Sequence, residues 1–197
     1  MSKQQLVNWR GNRKVPCPIF NLPAVVTCPG SGQCGSSGEC YALRTEVFRP
    51  HVRAYRLRNL AASKEPGFAA AMIDEIRRRQ QRRGGLPAYF RIHESGDFYS
   101  LAYFRKWCEI ARAFPAVTFF AYTKSYFVWR EARPANLSLM ASQYLDTDPA
   151  KLPIMAPVFE TVPRGSIGNG FHCPGYCGGC WACAHAAPMA RIWIEKH

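Results

Sequence analysis

The sequence has no long apolar run, and this absence excludes one class of protein. No stretch approaches the roughly 18 uncharged apolar residues that a membrane-spanning helix needs. The first ten residues, MSKQQLVNWR, also contain no apolar segment of the kind found in signal peptides. We therefore expect a protein of the cytoplasm that does not enter a membrane.

Acidic residues are also scarce. The 197 residues include 13 Asp and Glu against 26 Lys and Arg, which gives a formal net charge of +13. Such an excess favours anionic partners, including nucleic acid. The run from Arg77 to Arg83 is the strongest candidate for that contact, although cations are also favourable at the carboxyl end of a helix. No helix-turn-helix, zinc-finger or RNP signature accompanies it.

The sequence shows no internal repeat, and its length suits one domain. We therefore predict a single domain over 1–197, with no indication of an oligomeric state. Within it, we expect residues 1–21 to form an N-terminal arm and residues 22–172 an α/β scaffold. Residues 173–197 should form a cysteine-rich segment followed by a C-terminal helix.

Short apolar segments alternate with stretches of helical periodicity, which predicts an α/β fold. The strands are apolar on both faces, so we expect a mostly parallel sheet, covered on both sides, with flanking helices and cysteine-rich metal-binding loops. A full (β/α)8 barrel needs ~250 residues, so the sheet should be partial and TIM-barrel-like. The predicted strands are 22–27, 88–93, 117–122, 137–141 and 154–158. The predicted helices are 41–60 with a break at Pro50, 68–83 before Gly84 and Gly85, and 101–114.

In parallel sheets, functional groups gather where the strands end. This rule places the following residues on one rim: Cys28, His93, Glu94, Asp97, Thr123, Lys124 and Ser142. Of these, His93, Glu94 and Asp97 are candidates for acid–base catalysis or cation binding, and Lys124 for binding a small anionic ligand. The structural alternatives are a hydrogen bond for His93, a cap on a helix starting near Phe98 for Asp97, and a surface position for Lys124.

Nine cysteines in a reducing cytoplasm indicate metal or redox chemistry more readily than disulfides. Four of them, which we call the C-terminal cysteines, are Cys173, Cys177, Cys180 and Cys183. The two-residue gaps between the last three match bacterial ferredoxins, in which a remote cysteine, often followed by proline, completes the ligand set. Cys173 and Cys28 both precede a proline. We expect a [4Fe–4S] cluster here, with zinc as the alternative metal.

A second set, which we call the rim cysteines, consists of Cys28, Cys34 and Cys40 on a loop rich in glycine and serine. Three thiolates would leave one iron of a [4Fe–4S] cluster free to bind a ligand, as in radical S-adenosylmethionine enzymes. The spacing here is C-x5-C-x5-C, whereas those enzymes use C-x3-C-x2-C. Seven candidate ligands allow one cluster or two. Cys17 and Cys108 lie outside both sets, and we expect Cys108 to be a small buried apolar residue.

Several motifs resemble those of the gene-product-88 family of phage and mobile-element proteins. They are Leu22-Pro-Ala, Thr27-Cys-Pro-Gly, Cys40-Tyr-Ala, Arg91-Ile-His-Glu-Ser-Gly-Asp-Phe, Ala121-Tyr-Thr-Lys and the terminal cysteine-rich segment. The resemblance runs from about Leu22 to the C-terminus. It implies a cysteine-rich α/β protein, an iron–sulfur relative of radical-enzyme barrels, which a phage would produce in the host cytoplasm. Five residues separate Cys34 from Cys40, which is more than the family's spacing.

These observations support two hypotheses. In the first, cysteine-rich loops at the C-terminal rim of a TIM-like sheet hold an iron–sulfur cluster, and redox or radical-type chemistry takes place beside His93, Glu94, Asp97 and Lys124. In the second, a non-catalytic zinc or structural-cluster protein binds nucleic acid through an arginine-rich face. The sequence leaves open whether the protein is an enzyme.

Overall fold

A computed structural model describes residues 5–83 and 85–196, which form an α/β fold around one seven-stranded sheet. The strands are β1 (Ile19–Phe20), β2 (Tyr89–Ile92), β3 (Thr118–Thr123), β4 (Leu137–Gln143), β5 (Val158–Val162), β6 (Phe171–His172) and β7 (Arg191–Glu195). The α-helices are α1 (Gly32–Ser36), α2 (Tyr41–Phe48), α3 (Pro50–Lys64), α4 (Phe68–Arg83) and α5 (Leu101–Arg112). No helix in this part of the chain is long and apolar enough to cross a membrane.

All seven strands run parallel, in the order β1-β2-β3-β4-β5-β7-β6. The sheet is open, because β1 and β6 lie at its two edges and do not pair with each other. The predicted parallel α/β sheet is therefore confirmed, and it is not closed into a barrel. Asn8 adds one antiparallel bridge to Ile19 at the β1 edge.

One face of the sheet is covered by α3, α4 and α5, which pack on it through apolar side chains. Trp107 of α5 is fully buried and lies 5.2 Å from Phe20 and 5.9 Å from Phe90, measured between ring centroids. Burial of each large apolar side chain stabilises the fold by about 1.5–3 kcal/mol. This aromatic layer fixes the position of the strands and therefore of the loops that follow them.

The opposite face of the sheet is covered by the C-terminal segment and not by helices. Successive side chains of a strand alternate between faces, so Phe120 and Met140 point away from α5. Trp181 packs against Phe120 with 6.1 Å between centroids, and Cys183 contacts Met140. The connections after β3 and β4 contain only short 3-10 turns, at Tyr126–Arg130 and Pro149–Lys151, so they supply no helical layer.

The central part of the secondary-structure prediction is confirmed. Helices α2 and α3 cover the predicted range with the break at Pro50, the first residue of α3, and α3 continues past the predicted end to Lys64. Helices α4 and α5 and strands β2, β3 and β4 also fall where the apolar pattern placed them, within one to two residues at most ends. Gly84, one of the two glycines predicted to end α4, lies outside the described residues, as do 1–4 and His197.

The strand predicted at 22–27 is wrong. Residues 24–27 form turns, and Val25 has a positive φ of 65°. Pro23 has no amide hydrogen for a strand ladder, and the amide of Ala24 donates to Oε1 of Glu46 at 2.8 Å. The first strand is β1, which lies inside the predicted N-terminal arm, where Phe20 is fully buried. The arm is therefore partly core.

Two predictions in the C-terminal half are also wrong. Of the strand expected at 154–158, only Val158 belongs to a strand, because Met155 has a positive φ of 62° and prolines lie on both sides of it. The expected C-terminal helix is strand β7. Its core sequence, Ile192-Trp-Ile, combines β-branched and aromatic residues that favour a strand, and it pairs with β5 and β6.

Candidate functional site

The rim cysteines lie near one another beside Lys124, the residue that follows β3. Cys28 follows the turn at 24–27, Cys34 belongs to the short helix α1, and Cys40 directly precedes α2. The ammonium group of Lys124 interacts electrostatically with all three sulfurs. All three side chains are half-buried, so a ligand in solution can reach them.

Two glycines let the cysteine loop approach the ends of the strands. A Cβ on Gly30 would lie 2.5 Å from the carbonyl oxygen of Lys124. A Cβ on Gly96, whose φ is +81°, would lie 2.6 Å from Oγ1 of Thr27. Both distances are too short for a side chain, so a larger residue at either position would push the cysteine loop away from the rim.

The rim cysteines differ in ionisation. Hydrogen bonding from the Cys34 thiol, helped by the amides of Leu43 and Ala42 and by the Lys124 ammonium group, lowers the pKa of Cys40 to about 6. The same interaction with Cys40 raises the pKa of Cys34. This lowering of the pKa favours the thiolate form of Cys40, which is the form that binds metals and attacks electrophiles.

We expect iodoacetamide to alkylate Cys40 of the metal-free protein faster than the other cysteines at neutral pH. The pKa of Cys40 lies below the ordinary value of 9.0, so the reactive thiolate forms as the pH rises through about 6. Replacing Cys34 with Ala removes the largest cause of this shift and should move the midpoint upward. Mass spectrometry of samples alkylated at a series of pH values measures these rates. A rate of Cys40 alkylation that rose with a midpoint near pH 9.0 would contradict the lowered pKa.

Cys28 supplies an internal control for that experiment. Burial, together with the Asp97 carboxylate, raises the pKa of Cys28 to about 12. We expect its alkylation to remain slow over the same range.

Asp97 connects the loop after β2 to the end of β3. Its buried carboxylate accepts hydrogen bonds from the Thr123 hydroxyl at 2.5 Å, the Lys124 amide at 2.8 Å and the Phe98 amide at 2.7 Å. Burial raises the pKa of Asp97, while these hydrogen bonds act in the opposite direction. Asp97 thus fixes the backbone from which the Lys124 side chain extends.

The helix-cap alternative for Asp97 is wrong. Helix α5 begins at Leu101, and its N-cap is Ser100, whose hydroxyl oxygen accepts a hydrogen bond from the Tyr103 amide at 3.2 Å. The capping role expected of Asp97 therefore belongs to a residue that the sequence analysis did not single out.

The ammonium group of Lys124 extends over the rim. Its Nζ lies 3.4 Å from Oγ of Ser142, at the end of β4, and 5.5 Å from the centre of the Tyr144 ring. It forms no ion pair with a carboxylate in residues 5–83 and 85–196. This charge is available to balance thiolates or to bind an anionic ligand.

His93 and Glu94 are held by structural contacts. The His93 ring is buried, its Nε2 lies 2.8 Å from the Tyr103 hydroxyl, and its centroid lies 4.8 Å from that of Phe98. Burial, assisted by Arg91, lowers the pKa of His93 to about 3, so the ring stays neutral at physiological pH. Glu94 accepts a hydrogen bond from Asn12 at 2.5 Å. These contacts favour the structural alternative for His93.

The C-terminal cysteines belong to a segment that lies on the face of the sheet opposite the helices, and Cys173 directly follows β6. Cys183 is buried against Met140 and Ile192. Trp181 stacks on Tyr89, the first residue of β2, with 4.0 Å between centroids, so the segment passes near the amino end of that strand. A cleft of about 600 Å3 lined partly by Cys173 opens beside the segment. The two cysteine sets have different neighbours, since the rim cysteines interact with Lys124 and the C-terminal ones with Arg91.

The sulfurs of this second set interact with one another. The thiol of Cys177 is electrostatically coupled to Cys173 and Cys180, and that of Cys183 to Cys173 and Cys177. Burial raises the pKa of Cys183 to about 11. Cys17, which the sequence analysis left out, also lies close enough to interact with Cys177. Up to five sulfurs thus face the same region.

Arg91 is a functional candidate that the sequence analysis missed. It is 6% exposed, and its guanidinium carbon lies 3.6 Å from the centre of the Tyr122 ring. Its Nε donates to the His93 carbonyl at 3.0 Å, and within the described residues it forms no ion pair with a carboxylate. The thiols of Cys177 and Cys183 lie within its electrostatic reach. The available signal was an arginine inside an otherwise apolar strand.

The described part of the chain contains no three His, Cys, Asp or Glu side chains placed closely enough to hold a metal ion. The donor chemistry and charge nevertheless suit a thiolate centre. Each cysteine set offers at least three sulfurs, and each faces a cation, Lys124 at the rim and Arg91 on the sheet face. Thiolate ligands favour iron–sulfur clusters and zinc.

The arginine run at the end of α4 is partly engaged in other contacts. Arg78 forms an ion pair with Asp74 at 3.3 Å, and the Arg79 guanidinium lies 5.5 Å from the centre of the Trp9 ring. Arg77 and Arg82 are exposed. These contacts favour the interpretation of the run as an ordinary solvated helix terminus.

A family model described as Gene product 88 matches residues 2–161. The match begins before the boundary near Leu22 that the motifs indicated, and it ends before the C-terminal cysteines. It includes the rim cysteines, Arg91 and Lys124.

Two curated relatives match part of the chain. The Gene 88 protein of Mycobacterium phage D29 is 31% identical over an alignment of 120 residues that covers 56% of this chain and 48% of that protein. The Gene 88 protein of Mycobacterium phage L5 is 30% identical over an alignment of 124 residues that covers 58% of this chain and 50% of that protein. The chain thus spans about half the length of the curated relatives it matches. No solved structure matches. Because the family model covers well over half of the sequence, the chain belongs to the gene product 88 family, which includes phage proteins.

Proposed function

We propose that this protein binds iron–sulfur clusters through its cysteine sets and binds an anionic ligand at the rim for redox or radical-type chemistry. The C-terminal cysteines would hold one [4Fe–4S] cluster on the face of the sheet. The rim cysteines would hold a second centre beside Lys124. Zinc at either set is the competing assignment, because the same thiolates bind both metals.

The buried guanidinium of Arg91 is the observation on which the proposal rests. Leaving a charge buried without a partner of opposite charge is strongly unfavourable. In the described residues Arg91 has no carboxylate partner, whereas it interacts with Cys177 and Cys183. Cysteines that bind a metal do so as thiolates, and their negative charge would balance that of Arg91.

The spacing of the C-terminal cysteines supports iron–sulfur over zinc. Structural zinc sites usually draw their ligands from two pairs separated by a stretch of chain. Here Cys177, Cys180 and Cys183 follow one another at two-residue gaps, as in bacterial ferredoxins.

At the rim, the protein supplies groups suited to binding and orienting a ligand. Cys28, Cys34 and Cys40 would be the metal ligands, and a cluster held by three thiolates supplies electron transfer and one free coordination position. Lys124 would bind an anionic group of the ligand, since its ammonium group has no carboxylate ion pair in the described part of the chain. Asp97 positions Lys124 through its backbone amide.

We expect the anaerobically prepared protein to contain about eight irons per chain, because two cysteine sets would hold two [4Fe–4S] clusters. Changing Cys28, Cys34 and Cys40 together to Ser should lower the count to about four while leaving the C-terminal centre in place. Iron and acid-labile sulfide assays measure both numbers. A wild-type count of about four that the triple substitution leaves unchanged would remove the rim centre from the proposal.

A further inference from the structure

Helices α2 and α3 carry several exposed cations and no exposed acid. Six Lys and Arg residues lie between Tyr41 and Lys64, against one acid, Glu46. Glu46 and Arg56 are buried as an ion pair at 2.9 Å. The remaining five cations are exposed, and we call them the α2–α3 basic surface: Arg44, Arg49, Arg53, Arg58 and Lys64. The surface therefore has a net positive charge that no carboxylate of either helix offsets.

The same two helices also carry exposed apolar side chains. Phe48 is 76% exposed, Val47 67% and Leu57 44%. Phe48 is the last residue of α2 and directly precedes Arg49. An exposed aromatic ring beside guanidinium groups can stack on a nucleic-acid base while the cations contact phosphates.

We infer that the α2–α3 basic surface binds single-stranded nucleic acid. Four of the five cations are arginines, whose planar guanidinium groups match phosphate geometry. The surface differs from the arginine run of α4, where Arg78 forms an ion pair with Asp74. No ion pair engages the five cations within the described residues, although the Arg58 guanidinium lies 5.8 Å from the centre of the Tyr55 ring. The inference does not depend on the metal centres, because it rests on exposed charge and the Phe48 ring alone.

The surface also adjoins the rim. Helix α2 starts immediately after Cys40, and the Tyr41 hydroxyl donates to the carbonyl of Glu94. A strand bound along α2 and α3 would therefore have one end beside the rim cysteines.

The test is binding of a fluorescein-labelled thymidine oligonucleotide, single-stranded and about 20 nucleotides long, a length that covers one or more typical site sizes. Replacing Arg44, Arg49 and Arg53 with Gln in one variant should weaken binding roughly tenfold or more at low salt and make the slope of log affinity against log salt shallower by about 2. A matched control replaces three exposed arginines elsewhere, Arg77, Arg82 and Arg112, with Gln. Equal losses in both variants, or no loss in the first, would overturn the inference.

A second substitution separates base stacking from general apolar contact. Phe48→Leu keeps an apolar side chain but removes the aromatic ring, so oligonucleotide affinity should fall at least about fivefold. Phe48→Leu without any loss would overturn the inference. So would tight binding to vesicles of phosphatidylserine and phosphatidylcholine combined with no binding of the oligonucleotide, since the surface would then be a membrane contact.

Discussion

Replacing Cys177, Cys180 or Cys183 with Ser is expected to remove the cluster that we propose for the C-terminal cysteines, so the protein should lose about four irons and four sulfides per chain. The two-residue gaps between the three thiols match those of bacterial ferredoxins, and the glycines at 178 and 179 permit a tight loop. The buried Arg91 charge would then be balanced by fewer thiolates. Since metal binding and loop ordering are coupled, each variant should also unfold at a lower temperature than the wild type.

The matched control is Cys108→Ser. Cys108 is 2% exposed in α5, on the helical side of the sheet and away from both cysteine sets. This variant should keep its iron and sulfide, although burying a hydroxyl in an apolar site costs roughly 1–3 kcal/mol of stability. Iron retained by all three C-terminal variants would contradict the assignment of the ligands.

Replacing Glu46 with Leu is expected to lower the free energy of unfolding by about 3–5 kcal/mol, because it leaves the Arg56 charge buried without its partner. The two side chains are 4% and 5% exposed and lie 2.9 Å apart. Glu46 also accepts the Ala24 amide at 2.8 Å, so the substitution should loosen the turn that leads to Cys28. Equilibrium urea unfolding under anaerobic conditions measures the change.

The double variant Glu46→Leu, Arg56→Leu checks the physical reason for that loss. Removing both charges leaves no uncompensated cation, so the double variant should be more stable than the single variant Glu46→Leu. If the double variant were the less stable of the two, the buried ion pair would not explain the effect.

The helices and central strands could be predicted because their apolar residues recur at a spacing set by local geometry. Phe68, Met72 and Ile76 mark one face of α4, and all three are buried. The same approach wrongly predicted a strand at 22–27, because the residues there are mostly apolar. Pro23 and the hydrogen bond from the Ala24 amide to Glu46 favour turns instead. A partner 22 residues away leaves no local signal.

The prediction of a C-terminal helix failed for a related reason. The sequence Ile192-Trp-Ile is short enough to fit either the end of a helix or a strand. It forms a strand because it pairs with β5. This pairing partner is distant in the sequence, so local patterns do not indicate it.

The chemistry of the candidate site was easier to predict than its placement. Cys28 and Lys124 were placed together by the rule that loops meet at the carboxyl ends of parallel strands, and the structure brings them together. Arg91 was missed because one arginine in an apolar strand gives no indication of what it faces. The packing of the C-terminal segment on Phe120 and Met140 was not predicted, because nothing in the cysteine spacing shows which face of the sheet the segment covers.

Mössbauer spectroscopy of protein reconstituted anaerobically with 57Fe and sulfide, with zinc measured on the same sample, tests the central claim most directly. The proposal predicts the spectrum of [4Fe–4S] clusters, with iron and sulfide in equal amounts and little zinc. Stoichiometric zinc with no sulfide, or iron that shows only an adventitious mononuclear signal, would contradict it.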